Sequence, residues 1–244
     1  MNLVIDIGNT RSKIAVFKED SMLESRVLVN AVSDSIRDLK DQFTDINHCI
    51  IATVKSELQD IPDALEKLDI SYKVLTPSLK FPFRIQYHTP ETLGNDRLAA
   101  VAGAFAIHPN KDILIIDAGT AITFDLITIK DGYLGGVISP GLEMRYKALH
   151  SFTDKLPLQV KQEDHELLGQ STSEAITGGV QNGLIFEIEG YLTKIGEKYP
   201  QLTVLLTGGD AQFFDNKLKK TIFVIPNLTL VGLNFILNYN AQAK

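Results

Sequence analysis

The sequence lacks the features on which several protein classes depend. Cys49 is its only cysteine, so an intramolecular disulfide and a cysteine-based zinc cluster are both excluded. No stretch approaches the ~18 consecutive apolar residues of a membrane-spanning helix. The N-terminus, MNLVIDIGNT, has neither the basic segment nor the apolar stretch of a signal peptide. The 24 basic and 30 acidic residues leave a formal charge of −6, which argues against a nucleic-acid or anionic-membrane partner. We expect a cytoplasmic protein.

Two common nucleotide-binding motifs are also absent. The chain contains no GxxxxGK[ST] loop and no GxGxxG run between a strand and a helix. Its composition is that of an ordinary globular protein, with 44% apolar and 22% charged residues. At about 150 residues per domain, a length of 244 predicts one large domain or two small ones.

A short pattern occurs twice, at positions that divide the chain almost in half. Residues 4–10 read VIDIGNT, and residues 115–121, 111 positions further on, read IIDAGTA. In both, an apolar run precedes an Asp-x-Gly turn and a second apolar run follows, which predicts strand, turn and strand. The glycine permits a tight turn and brings backbone N–H groups near a ligand. We therefore predict two similar domains, 1–108 and 109–244.

The two turns have two interpretations. An Asp-x-Gly turn between strands is a common hairpin without chemical function. Two turns that face each other across a cleft would instead present backbone donors and the carboxylates of Asp6 and Asp117. Phosphate oxygens and a Mg²⁺ ion require such an arrangement. The second interpretation predicts a nucleotide site of an architecture other than the two absent motifs.

Asp96 is the separate candidate for a catalytic carboxylate. Transfer of a phosphoryl group to an alcohol needs a carboxylate that orients or deprotonates the hydroxyl. Asp96 follows a turn formed by Gly94 and Asn95 and opens a helix predicted over 97–107. The alternative is that Asp96 caps this helix and that Arg97 is its surface partner.

Two later segments carry the same ambiguity. The turn 207–211 (TGGDA) could place bare backbone against adenine or ribose, or its Asp210 could cap a following helix. Either Ser171 or Thr172 suits the N-terminal cap of a long helix predicted over 173–199.

Taken in order, these motifs make the chain similar to the type III pantothenate kinases. That family belongs to the actin–Hsp70–sugar kinase superfamily. The resemblance covers essentially the whole chain, and the motifs are specific as an ordered set although each is weak alone. The segments that carry it are Asp6–Thr10 (DIGNT), Tyr87–Arg97 (YHTPETLGNDR), Asp117–Ala121 (DAGTA), Gly135–Gly141 (GGVISPG), Lys155–Pro157 (KLP) and Thr207–Ala211 (TGGDA).

The resemblance implies an α/β fold and a reaction. The fold would consist of two duplicated ribonuclease-H-like domains with mixed sheets flanked by helices, and the active site would lie in the interdomain cleft. The reaction would be ATP-dependent phosphorylation of pantothenate to 4′-phosphopantothenate, the first step of coenzyme A biosynthesis. Mg²⁺ would accompany ATP, and a monovalent cation, K⁺ or NH₄⁺, would be required. The chain would form a homodimer whose substrate pocket is completed across the interface.

The resemblance also implies a role for each matching residue. Asp96 would be the catalytic base, and Asp117 would bind the monovalent cation. Arg97, next to the base, could hold the carboxylate of pantothenate through its guanidinium fork. Asn95 departs from the pattern, because a small apolar residue is expected there. ATP would be bound by Asp6, Ile7, Gly8, Asn9, Thr10, Arg11, Ser12, Lys13 and Thr120, and pantothenate by Tyr87, Gly94, Asn95, Asp96, Arg97 and Thr172.

Two alternatives remain at this point. Other kinases of the superfamily share the duplicated turns, because the turns themselves do not encode the acceptor. The chain could also be a non-catalytic regulator on the same scaffold, but such a protein is expected to have lost a carboxylate. Asp6, Asp96 and Asp117 are all present.

Overall fold

The chain forms two five-stranded β-sheets and a set of helices, seen in a computed structural model that describes residues 1–8, 11–29, 32–54, 58 and 60–242. One sheet contains the strands β1 (Asn2–Ile7), β2 (Ser12–Lys18), β3 (Ser21–Leu28), β4 (His48–Thr53) and β5 (Ser71–Val74). The other contains β6 (Ile113–Ala118), β7 (Ala121–Thr128), β8 (Gly132–Pro140), β9 (Thr203–Thr207) and β10 (Phe223–Val224).

The two sheets have the same strand order. The first runs β3-β2-β1-β4-β5, and the second, read from its other edge, runs β8-β7-β6-β9-β10. In the first sheet β1 is antiparallel to β2 and parallel to β4, so this sheet is mixed. In the second, β6 is parallel to β9. The repeated order confirms the duplicated α/β fold.

Burial explains why the central strands are apolar along most of their length. Leu3, Val4 and Ile5 of β1 have no exposed surface, and neither have residues 113–116 of β6. A strand covered on both faces reads as a continuous apolar run. Strand β3, at the edge of its sheet, instead alternates between exposed and half-buried residues. The apolar runs on either side of each Asp-x-Gly turn are therefore core strands, as predicted.

The helices agree with the predicted ones to within two residues at the ends that matter for the site. The helix predicted from residue 97 begins two residues earlier, and the long helix predicted over 173–199 covers 172–198. No helix in the described part of the chain is long and apolar enough to cross a membrane. The helices are α1 (Val32–Gln42), α2 (Ile61–Lys67), α3 (Asn95–Ile107), α4 (Leu142–Ser151), α5 (Thr172–Lys198), α6 (Ala211–Asp215) and α7 (Leu228–Gln242), with a 3₁₀ turn at Pro90–Thr92.

Helices α3 and α7 pack against each other with their backbones unusually close. A Cβ atom added at Gly232 would lie 1.8 Å from the carbonyl oxygen of Ala99, and one at Gly103 would lie 2.3 Å from that of Leu228. The missing side chains are therefore what allows the approach. This packing fixes the helix whose first turn carries Asp96.

The described chain divides into two compact units. The first comprises described residues within 1–110, 125–135 and 227–244, and the second comprises 111–124 and 136–226. Each unit holds one Asp-x-Gly turn. Compactness and sequence duplication are different properties, so the division into domains 1–108 and 109–244 stays a prediction.

Candidate active site

The first Asp-x-Gly turn connects β1 to β2 in the first unit. Asp6 is the penultimate residue of β1 and lies opposite Lys13 of β2 in the antiparallel register. The backbone N–H of Gly8 donates to the carbonyl of Arg11 at 3.2 Å, which closes the turn. Asn9 and Thr10, which the sequence assigned to this loop, lie outside the described residues. Ile7 and Ser12 are buried at the two ends of the turn.

The environment of the Asp6 carboxylate disfavours its charge. Asp6 is partly exposed as a whole residue, but its carboxyl group is largely buried. This burial is the largest influence on the pKa of the carboxyl group and raises it. The nearby charge of Asp96 raises the pKa further, while a hydrogen bond from Thr229 and the charge of Lys13 lower it. The Thr229 hydroxyl donates to Oδ2 at 3.1 Å. Asp6 and Asp96 are thus neighbouring carboxylates, and a bound cation would reduce the repulsion between their negative charges.

Asp96 lies in the first turn of α3 but is not the capping residue. The N-terminal cap is Gly94, and it makes no side-chain capping bond. The Oδ1 atom of Asp96 accepts a hydrogen bond from the backbone N–H of Arg97 at 2.8 Å. This bond orients the carboxylate and does not use Oδ2. The amide of Asn95 donates to the carbonyl of Thr53 at 3.1 Å, so the residue that departs from the family pattern attaches α3 to the end of β4.

Arg97 belongs to a buried ion pair that the sequence analysis did not predict. Its Nη2 and Nε atoms donate to Oδ1 of Asp125 at 2.6 and 3.0 Å. The Tyr133 hydroxyl donates to the same oxygen at 2.7 Å. Asp125 and Tyr133 are completely buried and Arg97 is 4% exposed, so Arg97 is not the surface partner that one alternative proposed. The signal was present in the sequence, because Asp125 stands alone in the apolar run ITFDLI and a buried charge needs a partner.

The charges of this cluster stabilise each other. Burial alone would favour neutral Arg97, but the hydrogen bonds and charge of Asp125 outweigh it and raise the pKa of the guanidinium. Burial, followed by the charge of Asp125, raises the pKa of the Tyr133 hydroxyl, which therefore stays protonated and donates. The Nη1 atom of Arg97 lies 3.5 Å from the hydroxyl oxygen of Tyr87. The cluster therefore joins two of the predicted acceptor-binding residues.

The second Asp-x-Gly turn connects β6 to β7 in the second unit. Asp117 lies near the end of β6, opposite Thr207 of the parallel strand β9. The backbone N–H of Gly119 donates to the carbonyl of Ala121 at 3.1 Å, and Thr120 is exposed in the turn. Because the carboxyl ends of the parallel strands β6 and β9 meet at one edge, the turn at 207–211 lies beside the turn at 117–121.

Oxygen atoms converge around Gly208. This residue has a φ of +98°, which glycine adopts readily and other residues do not. A Cβ atom there would lie 2.4 Å from the carbonyl oxygen of Ala118 and 2.5 Å from Oδ1 of Asp117. Carboxylate and carbonyl oxygens are the ligands of hard cations such as Mg²⁺ and K⁺. Across the described residues there is no group of three or more His, Cys, Asp or Glu side chains that could hold a metal ion.

The remaining predicted positions separate into caps and candidate contacts. Ser171 is the N-terminal cap of α5 and accepts from the backbone N–H of Glu174 at 3.3 Å. Thr172 is the exposed first residue of that helix, so the capping function falls on its neighbour. Asp210 precedes α6 but makes no side-chain capping bond; its Oδ1 accepts from Nζ of Lys161 at 2.7 Å.

The chain resembles known proteins over its whole length. A family model described as type III pantothenate kinase matches residues 2–194. A relative from Christiangramia forsetii with the name type III pantothenate kinase is 44% identical over 241 residues, which are 98% of this chain and 99% of the relative.

Two solved structures have the same fold. A protein from Campylobacter jejuni, described as a candidate Baf family transcriptional activator, superimposes with a TM-score of 0.64 at 24% identity and covers 98% of this chain and 99% of its own. A candidate N-acetylmannosamine kinase from Listeria monocytogenes does so with a TM-score of 0.56 at 9% identity and covers 99% of both chains. At such low identity these likenesses show the fold alone.

Proposed function

The chain belongs to the type III pantothenate kinases, and we propose that it transfers the γ-phosphoryl group of ATP to the primary hydroxyl of pantothenate. The products are ADP and 4′-phosphopantothenate, and the reaction opens coenzyme A biosynthesis. The observation that carries the proposal is the start of α3, where the oriented carboxylate of Asp96 precedes the buried Arg97 cluster. This segment, Tyr87–Arg97, favours pantothenate over other acceptors. We place the reaction in the cytoplasm, where ATP is available.

Asp96 is the catalytic base of this proposal. Its Oδ1 is held by the N–H of Arg97, so Oδ2 is the oxygen that receives the hydroxyl proton. As that proton leaves, the pantothenate oxygen forms a bond to the γ-phosphorus of ATP and the bond to the β-phosphate oxygen breaks. Such a transition state depends on positioning and on charge neutralisation more than on strong bases. The Asp96 carboxylate can position the acceptor hydroxyl, because its Oδ1 is already held in place.

ATP binding is assigned to the first turn, from Asp6 to Lys13, and to Thr120 of the second. A divalent metal accompanies ATP in kinases, and when bound it neutralises charge on the transferred phosphoryl group. The raised pKa of the Asp6 carboxyl fits such a role, because a carboxylate destabilised by burial and by Asp96 gains from a nearby cation. In many proteins, backbone N–H groups of such turns donate to phosphate oxygens.

A monovalent cation, K⁺ or NH₄⁺, is assigned to Asp117. Oδ1 of Asp117 and the carbonyl oxygen of Ala118 both lie close to Gly208, and the Ala118 carbonyl also accepts from the backbone N–H of Asp210 at 2.9 Å. Carboxylate and carbonyl oxygens are ligands that hard cations prefer, and the assignment of the monovalent cation to Asp117 itself comes from the resemblance. The bound cation would offset part of the charge that ATP brings to the turn.

Pantothenate binding is assigned to Tyr87, to the run from Gly94 to Arg97, and to Thr172. Asn95 serves this site indirectly, because its amide is already bonded to Thr53. Thr172 belongs to α5 of the second unit and is exposed. The resemblance implies that the substrate pocket is completed across a homodimer interface, and this assigns Thr172 to that interface.

Exposed apolar residues of the second unit support the proposed homodimer. Polar contacts attach the segment before α5 to that helix, among them Gln162 to Gln181 and Asn182 to Glu166. The same part of the chain exposes large apolar side chains, an arrangement that marks a protein interface. These side chains are Phe152, Leu158, Val160, Leu167, Leu168 and Phe186.

The test of the proposal is a turnover assay with ATP and pantothenate in the presence of Mg²⁺, run with K⁺ and with Na⁺ in its place. We expect ADP and phosphorylated pantothenate to form with K⁺ and much more slowly with Na⁺. Equal rates in both salts would contradict the cation assignment and leave the kinase intact. Folded protein that binds ATP but does not phosphorylate pantothenate would contradict the proposed acceptor.

A further inference from the structure

Asp125 is a buried charged residue to which the proposed reaction assigns no role. It lies in the middle of β7, between Phe124 and Leu126, and has no exposed surface. Its Oδ1 accepts from Arg97 and from the Tyr133 hydroxyl, and Oδ2 lies 3.3 Å from Nε of Arg97. Removing a carboxylate from water is costly, so a merely structural position would more simply hold an apolar residue.

The ion pair determines which part of Arg97 a ligand can use. Asp125 occupies the edge of the guanidinium formed by Nε and Nη2. The fork at that edge is therefore taken by Asp125 and is not available to pantothenate. The N–H groups that remain are those of Nη1, which lies next to the Tyr87 hydroxyl, and the second N–H of Nη2.

Tyr133 connects Asp125 to the segment that carries Tyr87. Its hydroxyl donates to Asp125, while its backbone N–H donates to the carbonyl of Arg84 at 2.8 Å and its carbonyl accepts from Gln86 at 2.9 Å. The rings of Tyr133 and Tyr87 are parallel to within 3°, with centroids 6.3 Å apart. The guanidinium carbon of Arg97 lies 5.6 Å from the centre of the Tyr87 ring, within the range of a cation–π contact.

We propose that Asp125 and Tyr133 are positioning residues that hold Arg97 and Tyr87 in the arrangement that binds the carboxylate of the acceptor. The inference rests on the proposed function. The Nη1 group of Arg97 and the hydroxyl of Tyr87 are the two donors that this arrangement brings together. By holding them still, Asp125 and Tyr133 set the preference of the site for an acid over an uncharged acceptor.

The test compares Tyr133→Phe with the matched control Tyr146→Phe. Tyr146 is also buried, and its hydroxyl donates to Oε1 of Gln181 at 2.9 Å in the second unit. Both variants lose one buried hydroxyl and keep the ring. For Tyr133→Phe we expect the KM for pantothenate to rise about fivefold, the equivalent of one hydrogen bond. Its kcat and its KM for ATP should change less than about twofold, and Tyr146→Phe should leave all three constants unchanged.

A second acceptor separates positioning from general stabilisation. Pantothenol has a CH₂OH group in place of the carboxylate of pantothenate and keeps the hydroxyl that is phosphorylated. If Asp125 and Tyr133 serve the carboxylate, Tyr133→Phe should leave kcat/KM for pantothenol unchanged. Asp125→Asn retains the shape of the side chain and loses its charge. It should likewise raise the KM for pantothenate and leave kcat/KM for pantothenol unchanged. It serves as the second variant if Tyr133→Phe does not fold.

Three results are distinguishable. An unchanged KM for pantothenate in folded Tyr133→Phe would overturn the proposal, and so would an equal loss with pantothenate and pantothenol. A wild-type enzyme that turns over neither acceptor would instead contradict the proposed function, on which the inference rests.

Discussion

At the residue scale, the first turn of α3 holds the Asp96 carboxylate in place. The bond from the Arg97 N–H to Oδ1 fixes one oxygen, and the neighbouring carboxylate of Asp6 lies close enough to interact with it. Asparagine has nearly the same shape and can keep the bond to Arg97, but it cannot accept a proton at the other position. Asp96→Asn therefore tests the role of Asp96 in proton transfer while the orientation of the side chain is kept.

We expect Asp96→Asn to lower kcat at least ~10²-fold, the typical contribution of general base catalysis. The affinity for ATP should stay the same, because the carboxylate is not assigned to the nucleotide. Steady-state kinetics and calorimetric titration with ATP measure the two quantities. Glu91→Gln is the control, since Glu91 is an exposed acid in the neighbouring 3₁₀ turn and its loss should not affect turnover. Normal turnover by folded Asp96→Asn would contradict the role of Asp96 as the base.

Asp6 is expected to destabilise the ligand-free protein at neutral pH. Its pKa in the folded state is raised above the unfolded value, so protonated Asp6 is the form that the fold favours. The stability that this difference contributes is present below the unfolded pKa and is lost as the pH rises through the folded pKa. Asp6→Asn, which cannot ionise, should therefore melt at a higher temperature than wild type at pH 7. It should also bind ATP more weakly.

Melting curves at several pH values test this expectation. The difference between Asp6→Asn and wild type should shrink as the pH falls toward the unfolded pKa of about 3.9. Asp41→Asn, at an exposed position of α1, should match wild type at every pH. A lower melting temperature for Asp6→Asn at pH 7 would mean that the hydrogen bond from Thr229 and the charge of Lys13 outweigh burial.

At the element scale, the contact between α3 and α7 depends on two positions without side chains. Gly232→Ala would place a Cβ 1.8 Å from the Ala99 carbonyl, so the helices must separate. We expect a loss of about 1–3 kcal/mol in the free energy of unfolding, the usual cost of overpacking. Because α3 carries Asp96, kcat should fall as well. Chemical denaturation and kinetics of the same preparation measure both effects.

Gly190→Ala is the matched control in another helix. Gly190 lies in the interior of α5, and an added Cβ there has no neighbour within 4 Å. The substitution should stabilise the protein by up to about 1 kcal/mol, because alanine favours the helix more than glycine does. Equal changes in the free energy of unfolding would show that helix propensity, and not the α3–α7 contact, determines the effect of Gly232→Ala.

The elements were more predictable from the sequence than their partners in space. Apolar runs and Asp-x-Gly turns have local signals, so the strands at each turn and the starts of α3 and α5 followed from the sequence. The partner of Arg97 did not, because Asp125 is 28 positions away and only the tertiary packing of α3 near β7 brings the two side chains together. Likewise Thr229, which holds Asp6, is 223 positions away. Contacts of this kind depend on how the helices pack against the sheets, which local sequence patterns do not contain.

At the scale of the whole molecule, the second unit exposes apolar side chains that could form a dimer interface. A segment attached to α5 by polar contacts exposes Leu167 and Leu168, the second of which is 82% exposed. Apolar side chains on a segment that is otherwise held by polar bonds are expected to bind a protein surface. In a symmetric dimer the partner would be the same surface of a second copy.

We expect the wild-type protein to sediment as a dimer and Leu168→Glu to shift it toward the monomer. A buried glutamate without a partner is costly, so the interface should weaken by at least about tenfold in dissociation constant. Since Thr172 at the start of α5 is assigned to the acceptor across that interface, the KM for pantothenate should rise while ATP binding persists. Val27→Glu, on the exposed edge strand β3, introduces the same charge and should leave the dimer intact. Analytical ultracentrifugation over a concentration series decides the matter, because a wild-type monomer at micromolar concentration would contradict the homodimer and the role of Thr172 with it.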